Sequence, residues 1–302
     1  MLNTDFQQDV ARTLLYYEIF SYPLSAKELF ALFPKNSITF EQFKAKLSEL
    51  VHDQTLIESL GYYYLPKVES DFSLIRSQRE HTAQSKLKLA RVFTSIIKQF
   101  PFVRGVFLSG ELSKHVATPD SDIDYVIVTA PNRLWITRFI LIAFKKTFLF
   151  NKKNFFCLNY FVSENRMQIN ENSYYIATEV AHLKPLYNFP LFLRYINSNH
   201  WIKDYFPNYS VFLLTNEPRF ESRGIFQSII EFFVRGTWLD SLDVYLMNKM
   251  NSIWKTRYKE FDNETHKRLF LCSREESRAF VGNFAERIET KYYEKLKLHN
   301  LL

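Results

Sequence analysis

The stretch from Val103 to Thr129, VRGVFLSGELSKHVATPDSDIDYVIVT, constrains the fold of this 302-residue chain more than any other. Val106, Phe107 and Leu108 form a short apolar run that stops at Ser109-Gly110, and Ile123 to Val128 form a second one. Apolar runs of this kind bounded by turn residues predict buried strands. Asp122 and Asp124 open the second strand at i and i+2. Strand alternation then puts both carboxylates on one face, at most roughly 7 Å apart along the chain, and turns Ile123, Tyr125 and Ile127 to the other.

Two carboxylates this close repel each other and are costly to bury unless a cation lies between them. Mg²⁺, or Mn²⁺ in its place, suits the pair, because Mg²⁺ takes one or two carboxylates and leaves its other positions to water and phosphate oxygens. An Asp-x-Asp alone is also a common exposed strand entrance. The turn at Ser109-Gly110 adds weight to the cation reading, since a strand that stops at Ser-Gly lets the next backbone N–H groups approach a phosphate closely. Glycine is scarce, with 6 in the whole chain, which makes one at the end of a strand more informative.

An apolar strand, a small-residue turn, about a dozen residues and an Asp-x-Asp strand, in that order, resemble the signature of the DNA polymerase β type nucleotidyltransferase superfamily, and PDSDIDYVIV matches its second half closely. In the first half two registers are open. With Gly110 as the first glycine, Glu111 stands where a Ser or Gly is expected; one residue earlier, Gly110 takes the second place and Ser109 replaces the first glycine. The resemblance implies an α/β (α+β) fold with a nucleotidyltransferase core sheet and helices. It implies Asp122 and Asp124 as catalytic metal ligands, with Ser109, Gly110, Glu111, Ser113 and Lys114 around the phosphates of a nucleoside triphosphate. His115 shares the loop with Lys114. The family's third carboxylate falls best on Asn159 in the expected third strand, FFCLNYFV, with Glu164 and Glu179 as substitutes beyond it.

The implied reaction moves an NMP group from an NTP to an acceptor, for which a small molecule, a protein and an RNA all fit. Two residues depart from the pattern. A carboxylate at Glu111 repels a triphosphate unless it binds metal or turns away, and an asparagine at 159 cannot take a proton from an attacking hydroxyl and is a weaker metal ligand. A catalytically degenerate relative that binds a nucleotide or partner through the same cleft is therefore an alternative.

Composition sets the outer bounds. With 47% hydrophobic and 24% charged residues the chain is expected to bury a sizeable core, and 30 Phe and 18 Tyr predict aromatic-rich packing. A net charge of +7 favours an anionic ligand or partner without requiring one. Cys157 and Cys272 are far apart and fit no metal spacing, so a reducing cytoplasm without a disulfide is expected. The polar, acidic start MLNTDFQQD predicts no signal peptide, and the most apolar run, Leu134 to Phe150, is interrupted by Arg138, Lys145 and Lys146, so no membrane span is expected.

Residues 1–66 read as a small module: a helix from Val10 to Phe20, capping boxes at Ser25-x-x-Glu28 and Thr39-x-x-Gln42, and a hairpin from Leu56 to Ser59 and Tyr62 to Leu65 around Leu60-Gly61. Three helices and a hairpin resemble a winged helix. Lys44, Lys46 and His52 are balanced by Glu41, Glu49 and Asp53, which favours packing or partner docking over DNA binding, although a DNA-binding regulator is the second alternative. Lys67 to Phe72 is the expected linker, and Ser73 to Phe100 a long helix ended by Pro101. The nucleotidyltransferase core is assigned to 67–170, with a helix from Pro131-Asn132 to about Thr147. Residues 171–302 are expected to be a largely helical lobe: Tyr174 to Lys184, Leu191 to Tyr205, Gly224 to Trp254, a short apolar stretch at Arg268 to Cys272, and a last helix from Glu275 to Leu296 with Phe280, Phe284 and Ile288 on one face. Lys184, Arg194, Arg223 and Arg235 are candidate phosphate contacts in that lobe.

Overall fold

The computed structural model of the chain describes residues 4–66, 71–149, 155–211, 219–279 and 284–302. Residues 67–70 of the linker expected over Lys67 to Phe72, with Phe150, Asn154, Pro218, Phe280 and the side chain of Asn159, lie outside the described residues, while Asp71 and Phe72 cap and open the following helix.

The chain opens with helix α1 (Asp5–Glu18), started by a capping box in which the Thr4 hydroxyl accepts from the Gln7 N–H and the Gln7 side chain accepts from the Thr4 N–H. Strand β1 (Leu24–Ser25) follows. Capping boxes then start α2 (Ala26–Ala31) at Ser25 and Glu28 and α3 (Phe40–His52) at Thr39 and Gln42, both as expected. Strands β2 (Ile57–Ser59) and β3 (Tyr62–Tyr64) are joined by Leu60 (φ 52°) and Gly61 (φ 79°), two left-handed residues of the kind that close a two-residue hairpin. β1 adds to the far side of β3 to complete an antiparallel sheet ordered β1-β3-β2.

Helix α4 (Phe72–Ile97), capped by Asp71, leads to β4 (Val103–Ser109), the single turn α5 (Gly110–Ser113) and β5 (Asp124–Thr129). Helix α6 (Leu134–Phe148), β6 (Cys157–Ser163), α7 (Tyr174–His182), β7 (Lys184–Tyr187), α8 (Phe189–Ser198) and α9 (Ile202–Tyr205) come next. The chain ends with α10 (Ile225–Phe233), α11 (Trp238–Arg257), α12 (Asn263–Leu269), β8 (Phe270–Cys272), β9 (Glu276–Ala279) and α13 (Phe284–Leu298). The main sheet is ordered β7-β4-β5-β6-β9-β8; β5 and β6 run parallel and the other neighbours antiparallel.

Both faces of this sheet are buried, and β5 shows how. Tyr125 and Ile127 enter a core with Ala90 and Phe93 of α4 and Leu134, Trp135 and Leu141 of α6. Val126 and Val128 enter a second core, built with Phe192 of α8, Ala177 of α7, and Leu14 and Phe43 of the N-terminal module. The described part of the N-terminal module, residues 4–66, therefore shares a core with the main sheet. Buried hydrogen bonds tie them to α7: the Tyr16 and Tyr17 hydroxyls lie 2.8 Å from Thr178 Oγ1 and from His182 Nε2.

The region after residue 170 differs from the helical lobe expected, since it supplies three strands to the main sheet. The helix expected to reach Lys184 stops at His182, and Lys184–Tyr187 forms β7 on the sheet edge. Pro185 explains the change, because proline has no N–H for a helix interior and is tolerated on an edge strand. The helix expected over Leu191 to Tyr205 is broken at Asn199, whose buried amide donates to the Met167 and Tyr195 carbonyls and accepts from the Ile169 N–H. The long helix expected over Gly224 to Trp254 is two helices, α10 and α11, parted at Gly236 (φ 134°), a backbone state that favours glycine. The expected last helix begins only at Phe284; its first residues form β9, which pairs with both β6 and β8. Among the described residues no helix is long and apolar enough to cross a membrane.

Candidate functional site

The site lies where β4 ends beside the start of β5, with Ser109 directly opposite Asp124. Gly110 turns the chain with φ +69°, and a Cβ placed there would lie 2.6 Å from Oδ2 of Asp124. The position thus excludes a side chain twice over, once by its backbone conformation and once because a carboxylate fills the space. The Ser113 hydroxyl donates to the Gly110 carbonyl at 2.8 Å and closes the α5 turn, while the Ser109 hydroxyl donates to the Asp124 carbonyl at 3.4 Å.

Asp124 is the most perturbed acid of the site. Burial, with the charges of Asp122, Glu179 and Glu111, pushes its carboxyl up to about 6, and the Cys157 thiol only partly relieves it. Cys157 stands opposite Asp124 in the parallel register of β5 and β6. Burial and the same two aspartates push that thiol up to about 12, so it stays protonated and serves as a hydrogen-bond partner. Asp122 falls in the extended lead-in two residues before β5. Its charge is close enough to raise both Asp124 and Cys157.

Glu111 is turned toward α4. It accepts from Arg79 at 2.8 Å and from the Ser121 hydroxyl at 2.5 Å, so its charge is matched within the chain. The same helix holds the whole loop between the two halves of the motif. The Ala117 N–H donates to the Arg79 carbonyl at 3.1 Å, and Lys86 donates to the Pro119 and Ser121 carbonyls at 2.9 and 2.5 Å. Lys114 is paired with Glu179 of α7 at 2.9 Å, and its carbonyl accepts from the buried Tyr22 hydroxyl at 2.9 Å. The N-terminal module therefore packs directly on the loop. His115, next to Lys114, adopts a left-handed conformation with φ 58°.

The three positions considered for a third carboxylate separate clearly. Asn159 lies in β6 at a register shift, between Leu158 opposite Tyr125 and Tyr160 opposite Val126, so the strand residue level with Asp124 is Cys157. Glu164 is near the other end of β5, its N–H bonded to the Thr129 carbonyl and its carboxylate 4.0 Å from Arg104. At about 3.3 Å per residue, that end is roughly 16 Å from Asp124. Glu179 is the one of the three whose charge reaches Asp124, and it comes from α7 rather than from a strand.

The basic candidates divide the same way. Lys184 is buried on β7 opposite Leu108, next to the end of β4. Arg223 pairs with Glu231 of α10, whose carboxylate also accepts from the Phe102 N–H at the opposite end of β4. Arg235 follows that helix, and Arg194 lies on α8. Among the described residues no group of three or more His, Cys, Asp and Glu side chains is placed to hold a metal ion by itself. The donor chemistry nevertheless fits Mg²⁺ or Mn²⁺: Asp122 and Asp124 are hard carboxylates close enough for the charge of one to raise the other, Asp124 is pushed up chiefly by burial, and Mg²⁺ takes one or two carboxylates and fills its other positions with water and phosphate oxygens. No family model, no curated protein and no solved structure matches this chain.

Proposed function

We propose that this chain is a metal-dependent nucleotidyltransferase of the DNA polymerase β type, transferring an NMP group from a nucleoside triphosphate to an acceptor hydroxyl or similar group. The observation that carries the reading is the contact of Gly110 with Asp124: a glycine-only turn ends one strand against the raised carboxylate that opens the next. Asp122 and Asp124 would hold Mg²⁺ or Mn²⁺, which when bound supplies positive charge to the triphosphate and to the leaving oxygen. The α5 turn offers its backbone N–H groups to phosphate oxygens, and the pairing of Glu111 with Arg79 removes the repulsion its charge would exert. Lys184 and Lys114 supply positive charge around the same strand end. Glu179, released from Lys114 when the lysine turns to phosphate, is the residue able to take a proton from the acceptor.

A second reading, a nucleotide-binding relative without turnover, is favoured by Cys157, since β6 presents a thiol and not a carboxylate level with Asp124. The N-terminal order of helix, strand, helix, helix and hairpin resembles a winged helix, and its contact with the Lys114 loop supports a role as a wall of the cleft. Incubation of the protein with each labelled NTP, Mg²⁺ or Mn²⁺, and a cell extract as acceptor source distinguishes the readings. Metal-dependent pyrophosphate release, lost in Asp122→Asn and in Asp124→Asn, supports the transferase. Metal-dependent nucleotide binding without release supports the second reading, and the absence of both binding and release overturns both readings.

A further inference from the structure

Helix α10 is mounted with its polar side inward. Gln227 and Glu231, one turn apart on the same face, are its anchors. The Gln227 amide is fully buried and donates to the Val103 carbonyl. Glu231 accepts from the Phe102 N–H at 2.5 Å and from both terminal nitrogens of Arg104 at 2.9 and 3.0 Å. A second cation, Arg223, pairs with the same carboxylate. The opposite face carries Ile225, Phe226, Ile229, Phe232 and Phe233, continued by Trp238 at the start of α11, and these six side chains are 48–77% exposed.

At about 200 Å² for a large side chain, this exposure amounts to roughly 770 Å² of mainly apolar surface. The largest such patch on a typical monomer is about 300–600 Å², whereas each partner in a stable protein interface contributes about 800 Å². Several charges around the patch are engaged within the chain: Arg104 and Arg223 share Glu231, Arg219 pairs with Glu221 and Arg133 with Asp240, while Arg235 lies 5.0 Å over the Phe232 ring of the patch itself. Helices that lie on anionic membranes carry Lys and Arg along their polar face, whereas α10 has none and presents Gln227, Ser228 and Glu231 there. A continuous apolar face of this area suits a copy of itself, because two copies meeting there about a two-fold axis would each contribute about what a stable interface requires.

We propose that α10 and Trp238 form the interface through which two copies of this chain associate as a two-fold dimer. The test is sedimentation equilibrium of the full chain over a concentration series, alongside the double variant Phe226→Glu, Phe233→Glu and the control Leu60→Glu, an exposed apolar site on the β2-β3 hairpin. The wild type and the control are expected at twice the chain mass of 36.1 kDa. The double variant is expected to remain monomeric and folded, with a circular dichroism spectrum like that of the wild type and a cooperative unfolding transition, since both phenylalanines are exposed in the protomer. A wild type that stays monomeric throughout, or a double variant that dimerises as well as the wild type, overturns the proposal. Flotation with phosphatidylserine-containing vesicles decides the other occupant: a monomeric wild type that floats, and a double variant that does not, assign the face to lipid and also overturn it.

Discussion

Replacing Asp124 by asparagine keeps the shape of the side chain and removes its charge, and the setting of that charge predicts a stability gain from the loss of a functional group. In the folded protein burial and the neighbouring acids push the Asp124 carboxyl from 3.8 up to about 6. Since the folded value is raised, the favourable contribution of the protonated form is complete below about 3.8 and is lost as pH rises through about 6. Above that range the fold carries an ionised carboxylate it disfavours by about 3 kcal/mol at most, and partial solvent contact reduces this to about 1–2 kcal/mol. In a chain of 302 residues that corresponds to roughly 2–3 °C. Thermal unfolding of metal-free wild type and Asp124→Asn, followed by circular dichroism between pH 4 and pH 8, should show the variant more stable at pH 7.5 and the difference vanishing toward pH 4. A variant less stable than wild type at pH 7.5, or a difference that does not change with pH, refutes the reasoning.

Three further outcomes follow from contacts at the site and its supports. Gly110→Ala should destabilise by about 2–3 kcal/mol in urea denaturation, from the left-handed backbone and the collision with Asp124 Oδ2, and the same change should cost less in an Asp124→Ala background. Glu28, although buried, is held at about 2 because Arg76 grips both of its oxygens at 2.8 and 2.9 Å. Its folded value is depressed, so it stabilises the fold above about pH 4.5 and that contribution is lost as pH falls toward 2; Glu28→Gln should cost about 3 kcal/mol near neutrality and flatten the acid unfolding curve. Glu111→Gln, in contrast, should change stability by less than about 1 kcal/mol, because half of that side chain is exposed and its pair with Arg79 is screened.

Local signals were legible wherever a few adjacent residues decide the structure. The capping boxes at Ser25 and Thr39, the Leu60-Gly61 hairpin and the alternation of Asp124, Tyr125 and Val126 across β5 follow from side-chain chemistry within a turn or two. The strands β7 and β9 do not, since each is four residues long and owes its form to partners distant in sequence: Lys184 pairs with Leu108, and Arg278 with Tyr160. Short segments of that kind take the conformation their neighbours require, and their own propensity decides little. The surroundings of Asp124 divide the same way. Asp122 and Gly110 are sequence neighbours of the motif, whereas Cys157 is brought level with Asp124 by strand register and Glu179 is brought near by the packing of α7. The pairing of Arg79 with Glu111, across 32 residues, has no signal in the sequence beyond the mixed charge of α4.

The central claim is that Asp122 and Asp124 together hold a divalent cation with a nucleoside triphosphate. Electron paramagnetic resonance of free Mn²⁺, titrated with wild type, Asp122→Asn and Asp124→Asn in the presence of a nonhydrolysable NTP, measures that directly and needs no acceptor. Nucleotide-dependent loss of the free Mn²⁺ signal with wild type, and at least tenfold weaker binding with either folded variant, is the predicted result. Equal Mn²⁺ uptake by all three proteins, or none by the wild type, contradicts it.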